Sequence, residues 1–173
     1  MSFTGSRLRV ASIAAACLMP PGVVFAQGSC APLPLPAGNI IEVSPAQAAS
    51  LPSIVLAARP GDTIQLTDGV YVLPQTLYFQ QPGVTIRSKT GNRTAVTLDG
   101  QYAVGDILLL TASNLTVADL TVTRAYYHPV HVAPEQGTTT GTLIHNVRVV
   151  DGAQQFIKIN QNYFRDVRFV PSP

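Results

Sequence analysis

From Asp62 onward the chain consists of short runs of β-branched and aliphatic residues separated by Gly, Asn, Asp and Pro. Apolar and polar residues alternate with a period of two within these runs, which is typical of β-strands. No helical period occurs in this part of the chain, so the pattern predicts an all-β domain. The predicted strands are Thr63–Leu66, Gly69–Val72, Thr76–Phe79, Val84–Ser88, Ala95–Leu98, Ile107–Thr111, Leu115–Val117, Leu120–Arg124, Val130–Ala133, Leu143–His145, Val147–Val150, Phe156–Asn160 and Val167–Val170.

One short helix is predicted before the first of these strands. Ser44 is followed by Pro45 and, three residues after the serine, by Gln47, which is the arrangement of a capping box with proline at the first helical position. The helix is expected to run to about Ala58 with a break at Pro52. Its apolar face would contain Ala48, Leu51, Val55 and Ala58.

The strands contain an internal repeat. Asp119-Leu120-Thr121-Val122 returns at a 27-residue interval as Asn146-Val147-Arg148-Val149, and Val130-His131-Val132 returns at the same interval as Ile157-Lys158-Ile159. The run Ile107-Leu108-Leu109 precedes the Val130 run by a 23-residue interval. Spacings of this length with constant alternation indicate a solenoid, and the scarcity of two-residue hairpin signals favours a parallel β-helix over a β-sandwich.

Residues one repeat apart should then lie on top of each other in adjacent coils, about 4.8 Å apart. Strand alternation places His131 and Lys158 outside as neighbours. The residues expected inside are Val130, Val132, Ile157 and Ile159. The outward columns that follow from the spacing are Leu108 with His131 and Lys158, Leu110 with Ala133 and Asn160, and Arg124 with Asp151.

The whole of residues 40–173 is predicted to form one right-handed parallel β-helix of about five coils, with the short helix as its N-terminal cap. No comparable cap is predicted at the other end, where the chain stops on Phe169-Val170 and Pro-rich residues. We expect either that the domain is truncated at its C-terminal end or that a partner covers it. Self-association through this uncapped coil is one form of that expectation.

Residues 1–26 are predicted to be a signal peptide, because Arg7 and Arg9 precede an apolar run that ends in small residues before Gln27. Two prolines in that run argue against a membrane-spanning helix, and Ala14 argues against a lipoprotein signal at Cys17. The protein is therefore expected to be secreted or periplasmic. Residues 27–39, rich in Pro and Gly, are interpreted as a linker.

The charge and the cysteine content of the chain limit the partners and cofactors that can be expected. The full chain has 11 basic and nine acidic residues, and loss of Arg7 and Arg9 with the leader leaves nine of each. A neutral chain has no basic field for phosphates, so nucleic acid is not expected as a partner. Cys30 would be the one remaining cysteine, which excludes an intrachain disulfide and a Cys-based zinc site. No metal and no other cofactor is predicted.

The opening of the domain resembles a known family. Three stretches carry the resemblance: Ala58-Arg59-Pro60-Gly61-Asp62-Thr63-Ile64-Gln65-Leu66-Thr67-Asp68-Gly69-Val70-Tyr71, then Val84-Thr85-Ile86-Arg87-Ser88, and then Val96-Thr97-Leu98-Asp99-Gly100. They are similar to the first coils of the pectin-lyase-like superfamily, in particular the chondroitinase B and alginate lyase family. The resemblance covers residues 44 to about 124. It implies a right-handed parallel β-helix and β-elimination of uronic-acid polysaccharides.

Candidate functional residues come from the repeat rather than from the resemblance. We interpret Lys158 and His131 as candidate catalytic residues, because they are predicted neighbours on the outer face. The candidate substrate-binding residues beside them are Arg124, Tyr126, Tyr127, His128, Gln154 and Gln155.

Three functions are compatible with these residues. The first is a lyase acting on a uronic-acid polysaccharide, of which this chain would be the N-terminal part and need not be active alone. The second is a non-catalytic glycan-binding or structural module, and whether the protein is an enzyme is left open. The third, a hydrolase of the polygalacturonase type, would need two carboxylates close together. The aspartates at 99, 106, 119, 151 and 166 are instead distributed over different predicted coils.

Overall fold

A computed structural model of the protein describes residues 31–133, 139–160 and 167–170. The predicted signal peptide and both cysteines lie outside these residues, as does Asp166. None of the helices in the described part of the chain is long and apolar enough to cross a membrane.

The described strands form three sheets in which every pairing is parallel. The chain visits the three sheets in turn, so that from β2 onward each strand pairs with the third strand after it. The first sheet contains β1 (Ile40–Val43), β2 (Thr63–Leu66), β5 (Thr85–Ser88), β8 (Thr116–Ala118), β11 (Thr142–His145) and β14 (Val167–Val170). The second contains β3 (Gly69–Val72), β6 (Val96–Asp99), β9 (Thr121–Ala125) and β12 (Arg148–Gly152). The third contains β4 (Leu77–Phe79), β7 (Asp106–Leu110), β10 (His128–Val132) and β13 (Ile157–Ile159).

This arrangement is that of a parallel β-solenoid and confirms the predicted all-β, all-parallel class. Strand β1 was not among the predicted strands, because its four residues follow directly on the Pro- and Gly-rich segment. All of the strands that the sequence predicted are present, and their ends are shifted by two positions at most.

The predicted helix has two parts, a 3-10 segment over Pro45–Ser50 and a helix α1 over Leu51–Ala57. Gln47 Oε1 accepts a hydrogen bond from the Ser44 backbone N–H at 3.0 Å, which is the glutamine half of a capping box. Helix α1 packs against β4, and its apolar face joins the core through Leu51 and Val55.

Aliphatic side chains stacked from coil to coil form the core. In the first sheet Ile64, Ile86, Val117 and Ile144 occupy equivalent positions on successive strands. All four are buried, and full burial of each such side chain contributes roughly 1.5–3 kcal/mol. Because the parallel register repeats, one alternating pattern per strand is enough to build a continuous core.

The register corrects two of the predicted outward columns. His131 pairs with Leu109 on β7 and with Lys158 on β13, so the interval between β7 and β10 is one shorter than predicted. Leu108 and Leu110, predicted outside, are buried in the core beside Val130 and Val132. Asp106, the first residue of β7, lies opposite His128, so the predicted interval was too long by one residue. A shift of one residue exchanges the two faces of a strand, and Leu108 and Leu110 therefore point inward.

The 27-residue interval between the last coils is confirmed. Val130 pairs with Ile157, and His131 with Lys158. Val130 and Val132 are buried as predicted, whereas Ile157 is partly buried and Ile159 is exposed. The corners repeat as well, since Asp119 and Asn146, one coil apart, both have positive φ angles, at 57° and 50°. Asp and Asn tolerate this left-handed conformation better than most residues.

Candidate functional site

Three side chains come together at the start of the third sheet. Asp106 is the first residue of β7, and it pairs in register with His128, the first residue of β10. His131 lies three residues further along β10, and the two imidazole rings are 5.2 Å apart. We call Asp106, His128 and His131 the histidine cluster.

The Asp106 carboxylate joins the two histidines. Its Oδ1 lies 2.6 Å from Nδ1 of His128, and its Oδ2 lies 2.7 Å from Nδ1 of His131. Burial raises the pKa of Asp106, but the hydrogen bonds from His131 and His128 and their charges outweigh burial and hold that pKa below its usual value. Asp106 is therefore an anion that fixes the orientation of both rings.

The backbone holds His128 in place. The carbonyl of Gly105 accepts hydrogen bonds from the backbone N–H groups of Tyr127 and His128, at 2.9 and 3.2 Å. A Cβ atom at position 105 would lie 3.2 Å from the Tyr127 ring, so a larger residue there would require that ring to move. Gly105 thus lets the segment before β10 lie close to the residues that precede β7.

The next coil supplies an amide oxygen to each ring. Gln155 Oε1 lies 2.8 Å from Nε2 of His128, and Asn160 Oδ1 lies 3.3 Å from Nε2 of His131. Side-chain exposure is 7% for His128, 12% for His131 and 21% for Asp106. The cluster is therefore mostly enclosed, and it is open to solvent on the side of Asp106 and His131.

Lys158 lies beside this open side. It is the register partner of His131, and between buried Val130 and Val132 the strand directs His131 outward. Among the described residues, Lys158 has no hydrogen-bond or ion-pair partner. The predicted neighbourhood of His131 and Lys158 is thus confirmed.

The two predicted tyrosines precede the cluster in the chain. The rings of Tyr126 and Tyr127 contact each other edge to face at 4.7 Å, and both residues are exposed. Tyr127 also lies next to His128, with ring centroids 6.2 Å apart. Gln154 is exposed, and its backbone N–H donates to the Tyr127 carbonyl.

Arg124 binds a carboxylate outside the histidine cluster. The repeat placed it in one column with Asp151, and the two residues do occupy equivalent corners of adjacent coils. Its guanidinium binds Asp99 of the preceding coil, with Nε 2.8 Å from Oδ1 and Nη2 in contact with Oδ2. The ion pair of Arg124 is therefore with the buried carboxylate one coil earlier and not with Asp151. The contacts of Arg124 do not bring it to the histidine cluster.

A second polar group lies at the corner that follows the first sheet. Arg87 donates from Nη2 to Asp119 at 3.1 Å and from Nη1 to the carbonyl of Pro34 at 2.8 Å, and Asn146 Nδ2 donates to Asp119 at 3.0 Å. Pro34 belongs to the segment interpreted as a linker, so this part of it contacts the solenoid. We call Arg87, Asp119 and Asn146 the corner cluster.

Three of the aspartates that the sequence analysis considered have separate partners among the described residues. Asp99 binds Arg124, Asp106 binds the histidines and Asp119 binds Arg87. Each of these three carboxylates has its own cationic or imidazole partner.

Asp106 is the site residue that sequence reasoning missed. The repeat could have identified it, because Asp106 lies one coil before His128. The predicted interval was too long by one residue, however, and placed Asp106 out of register with His128. Comparison with known proteins adds no further assignment: no protein-family model, no curated protein and no solved structure matches this chain. The chemistry of the site is therefore interpreted from its own geometry.

Proposed function

We propose that the protein is an exported, carbohydrate-active β-helix of the right-handed, pectin-lyase-like kind that cleaves a uronic-acid polysaccharide by β-elimination. The observation that carries this proposal is the pair of His131, oriented by Asp106, and Lys158, which has no partner among the described residues, side by side on the outer face of the third sheet. The all-parallel solenoid and the similarity of residues 44 to about 124 to the lyase family support it.

The two side chains match what β-elimination requires. The reaction breaks the C5–H bond of a uronate residue and the bond from C4 to the leaving oxygen, and a C4–C5 double bond forms. A positive group on the uronate carboxylate makes the C5 proton more acidic, a base accepts that proton, and the leaving oxygen takes up another. His131 and Lys158 together supply one positive group and one base at adjacent positions, and the base, once it has taken the C5 proton, can deliver it to the leaving oxygen.

The surface around the pair suits an extended sugar chain. Exposed rings at Tyr126 and Tyr127 offer flat apolar faces to pyranose rings, and the exposed amides of Gln154 and Gln155 lie on the neighbouring coil. The outward column Tyr78, Leu109, His131 and Lys158 continues along the solenoid axis. Coil-to-coil stacking spaces these groups at about 4.8 Å, so a single saccharide unit would span one coil or more.

The test is an assay of the full chain on alginate, pectate and chondroitin sulfate, in which the unsaturated product is detected by its absorbance. We expect product from at least one polymer and a loss of about 10²-fold or more in rate for His131→Ala and for Lys158→Ala. Lys89→Ala is the matched control, because Lys89 is an exposed lysine away from the third sheet that pairs with Glu42. Activity in both site variants equal to that of the wild type would refute the assignment.

A non-catalytic glycan-binding module is the second candidate, and the exposed, edge-packed pair of Tyr126 and Tyr127 favours it. It predicts binding of the same polymers without any unsaturated product. In that case Lys158→Ala should weaken glycan affinity more than it lowers the free energy of unfolding. A binding titration with unchanged affinity would remove Lys158 from the site.

A further inference from the structure

The histidine cluster has more acceptor oxygens around its imidazoles than neutral rings can satisfy. Both nitrogens of His128 face an oxygen, one from Asp106 and one from Gln155, and both nitrogens of His131 face an oxygen from Asp106 and Asn160. A neutral imidazole has one N–H group and one lone pair. Two neutral rings therefore leave two nitrogen lone pairs directed at oxygens.

Three changes would remove this conflict. The Gln155 and Asn160 amides could reverse, so that their NH₂ groups donate to Nε2. Both rings could instead take up a proton, or a single divalent cation could replace the two protons between the Nδ1 atoms and the carboxylate. Each change satisfies all four nitrogens, and the third is the one that the convergence of the ligand atoms of Asp106, His128 and His131 favours.

We propose that Asp106, His128 and His131 bind one divalent transition-metal ion of the zinc class through the two Nδ1 atoms and the carboxylate. Two imidazoles and one carboxylate are a donor set that suits such ions, whereas calcium and magnesium prefer oxygen ligands alone. The ligand atoms of the three residues all lie within 4.8 Å of one another. The metal would enter where the two short Asp106 contacts now lie.

The required adjustment is small. Zinc binds imidazole nitrogen and carboxylate oxygen at about 2.0–2.2 Å, which in a tetrahedral site places neighbouring ligand atoms about 3.4 Å apart. The contacts of 2.6 and 2.7 Å between Asp106 and the histidines would therefore lengthen by roughly 0.7 Å as the shared protons leave. Small rotations about the side-chain torsions are enough, because the backbone register already brings the three residues together.

The surroundings also fit a metal centre. Histidine ligands commonly donate their second N–H to a neighbouring oxygen, which fixes the ring and the tautomer. Gln155 Oε1 and Asn160 Oδ1 are in position to accept those N–H groups from His128 and His131. Three protein ligands with an exposed side toward Asp106 and His131 leave room for a fourth ligand from solvent or substrate.

A bound metal would assign the roles in the proposed elimination. Asp106, His128 and His131 would hold a positive charge that neutralises the uronate carboxylate, and Lys158, which is not a ligand, would as a neutral amine accept the C5 proton and deliver it to the leaving oxygen. This role rests on the proposed function, whereas metal binding itself does not.

The test is a titration of chelator-treated full chain with Zn²⁺ by calorimetry at neutral pH and without any glycan, followed by Co²⁺ as a spectroscopic probe. We expect one zinc ion per chain, visible d–d absorption from bound Co²⁺ and no measurable binding of Ca²⁺. Asp106→Asn and His131→Gln should abolish the cobalt spectrum, and Gln155→Ala should weaken zinc affinity about 10- to 100-fold.

His145→Gln is the matched control, because His145 is a buried histidine outside the cluster and its variant should bind zinc like the wild type. Circular dichroism of each variant shows whether it is folded. Absence of zinc binding by the folded wild type, or equal binding by Asp106→Asn and His131→Gln, would overturn the proposal. Zinc binding without polysaccharide cleavage would leave the metal site standing and reject the proposed lyase activity.

Discussion

The corner cluster and the histidine cluster are built in the same way but have different surroundings. Each joins side chains from successive coils, Asp119 with Asn146 in one and Asp106 with His128 in the other. In the corner cluster the side chains of Arg87 and Asp119 are 10% and 5% exposed, and Arg87 also binds a backbone carbonyl. The histidine cluster adjoins two exposed amide side chains and a lysine that has no partner in the described part of the chain.

This difference is the reason to treat the corner cluster as structural and to propose a ligand for the histidine cluster. In the corner cluster the charges neutralise each other, and both Asp119 oxygens are used by Arg87 and Asn146. In the histidine cluster every nitrogen faces an oxygen, so the group is satisfied only by adding positive charge or by reversing amides. On this proposal, stacked polar residues stabilise the solenoid where their charges balance and bind a ligand where they do not.

The largest effect on stability is expected from Asp119→Asn. Asparagine tolerates the left-handed φ of 57°, as Asn146 shows one coil later, so the change removes charge without straining the corner. The buried guanidinium of Arg87 loses its counter-ion, and breaking a buried pair costs about 3–5 kcal/mol. Urea denaturation of the wild type and the variant measures the difference in free energy of unfolding.

Asn146→Gly is the matched control, because glycine tolerates the φ of 50° and the change removes one hydrogen bond from Asp119 while it leaves the ion pair intact. It should cost about 1 kcal/mol. Equal losses for the two variants would mean that the charge of Asp119 is unimportant for the corner.

Asp106→Asn should destabilise the protein less than Asp119→Asn. An amide at position 106 can accept a hydrogen bond from one histidine and donate to the other, and neutral histidines leave no stranded charge. We expect a loss of about 1–2 kcal/mol in the same urea experiment. A loss as large as that of Asp119→Asn would show that the histidine cluster is primarily structural.

These two aspartates also show what the sequence can predict. The alternation of apolar and polar residues identified the strands, and the 27-residue repeat placed His131 beside Lys158, because both depend on a local period that survives in the parallel register. The interval between β7 and β10 has no such exact repeat. An error of one residue there turned Leu108 outward and kept Asp106 away from His128.

Side-chain direction at a corner is harder to predict than register. Arg124 and Asp151 do occupy equivalent corners, with φ angles of 56° and 52°. The arginine nevertheless binds Asp99, one coil earlier, because a long side chain can reach either neighbouring coil and the buried carboxylate is the stronger partner. The spacing in the sequence determines the coil to which a residue belongs, but it does not determine which neighbouring coil its side chain contacts.

The Asp99 and Arg124 pair predicts a dependence of stability on acid pH. Burial raises the pKa of Asp99, but hydrogen bonds from Arg124 and from the Gln101 backbone, with the Arg124 charge, outweigh burial and hold that pKa below its usual value of 3.8. A carboxyl with a lower pKa in the folded state stabilises the fold above its unfolded pKa and loses that contribution as pH falls through the folded pKa.

Asp99→Asn should therefore cost stability at pH 7, by about 1 kcal/mol, and progressively less as pH falls below about 4. Urea denaturation at pH 7 and at pH 3 gives the two differences. If the wild type and the variant differ equally at both pH values, the pair with Arg124 does not determine the charge state of Asp99.

The smallest effect is expected at the exposed pair of Lys89 and Glu42. Their charged groups are 2.5 Å apart, but the side chains are 48% and 51% exposed, and such pairs contribute about 0–1 kcal/mol because water and salt screen them. Lys89→Met should lower the free energy of unfolding by less than about 0.5 kcal/mol, and about 1 M NaCl should remove the difference. A loss above about 1 kcal/mol that persists in high salt would contradict this estimate.

Lys158→Met is to be compared with Lys89→Met, both in stability and in glycan binding. Lys158 has no partner to lose among the described residues, so its variant should be as stable as the wild type, within the same half kilocalorie or so. Of the two lysines, however, Lys158 alone lies beside the histidine cluster, and its variant alone should lose affinity for a uronate polymer. Two lysines with equal effects on folding and different effects on binding would separate an ordinary surface charge from one that serves the site.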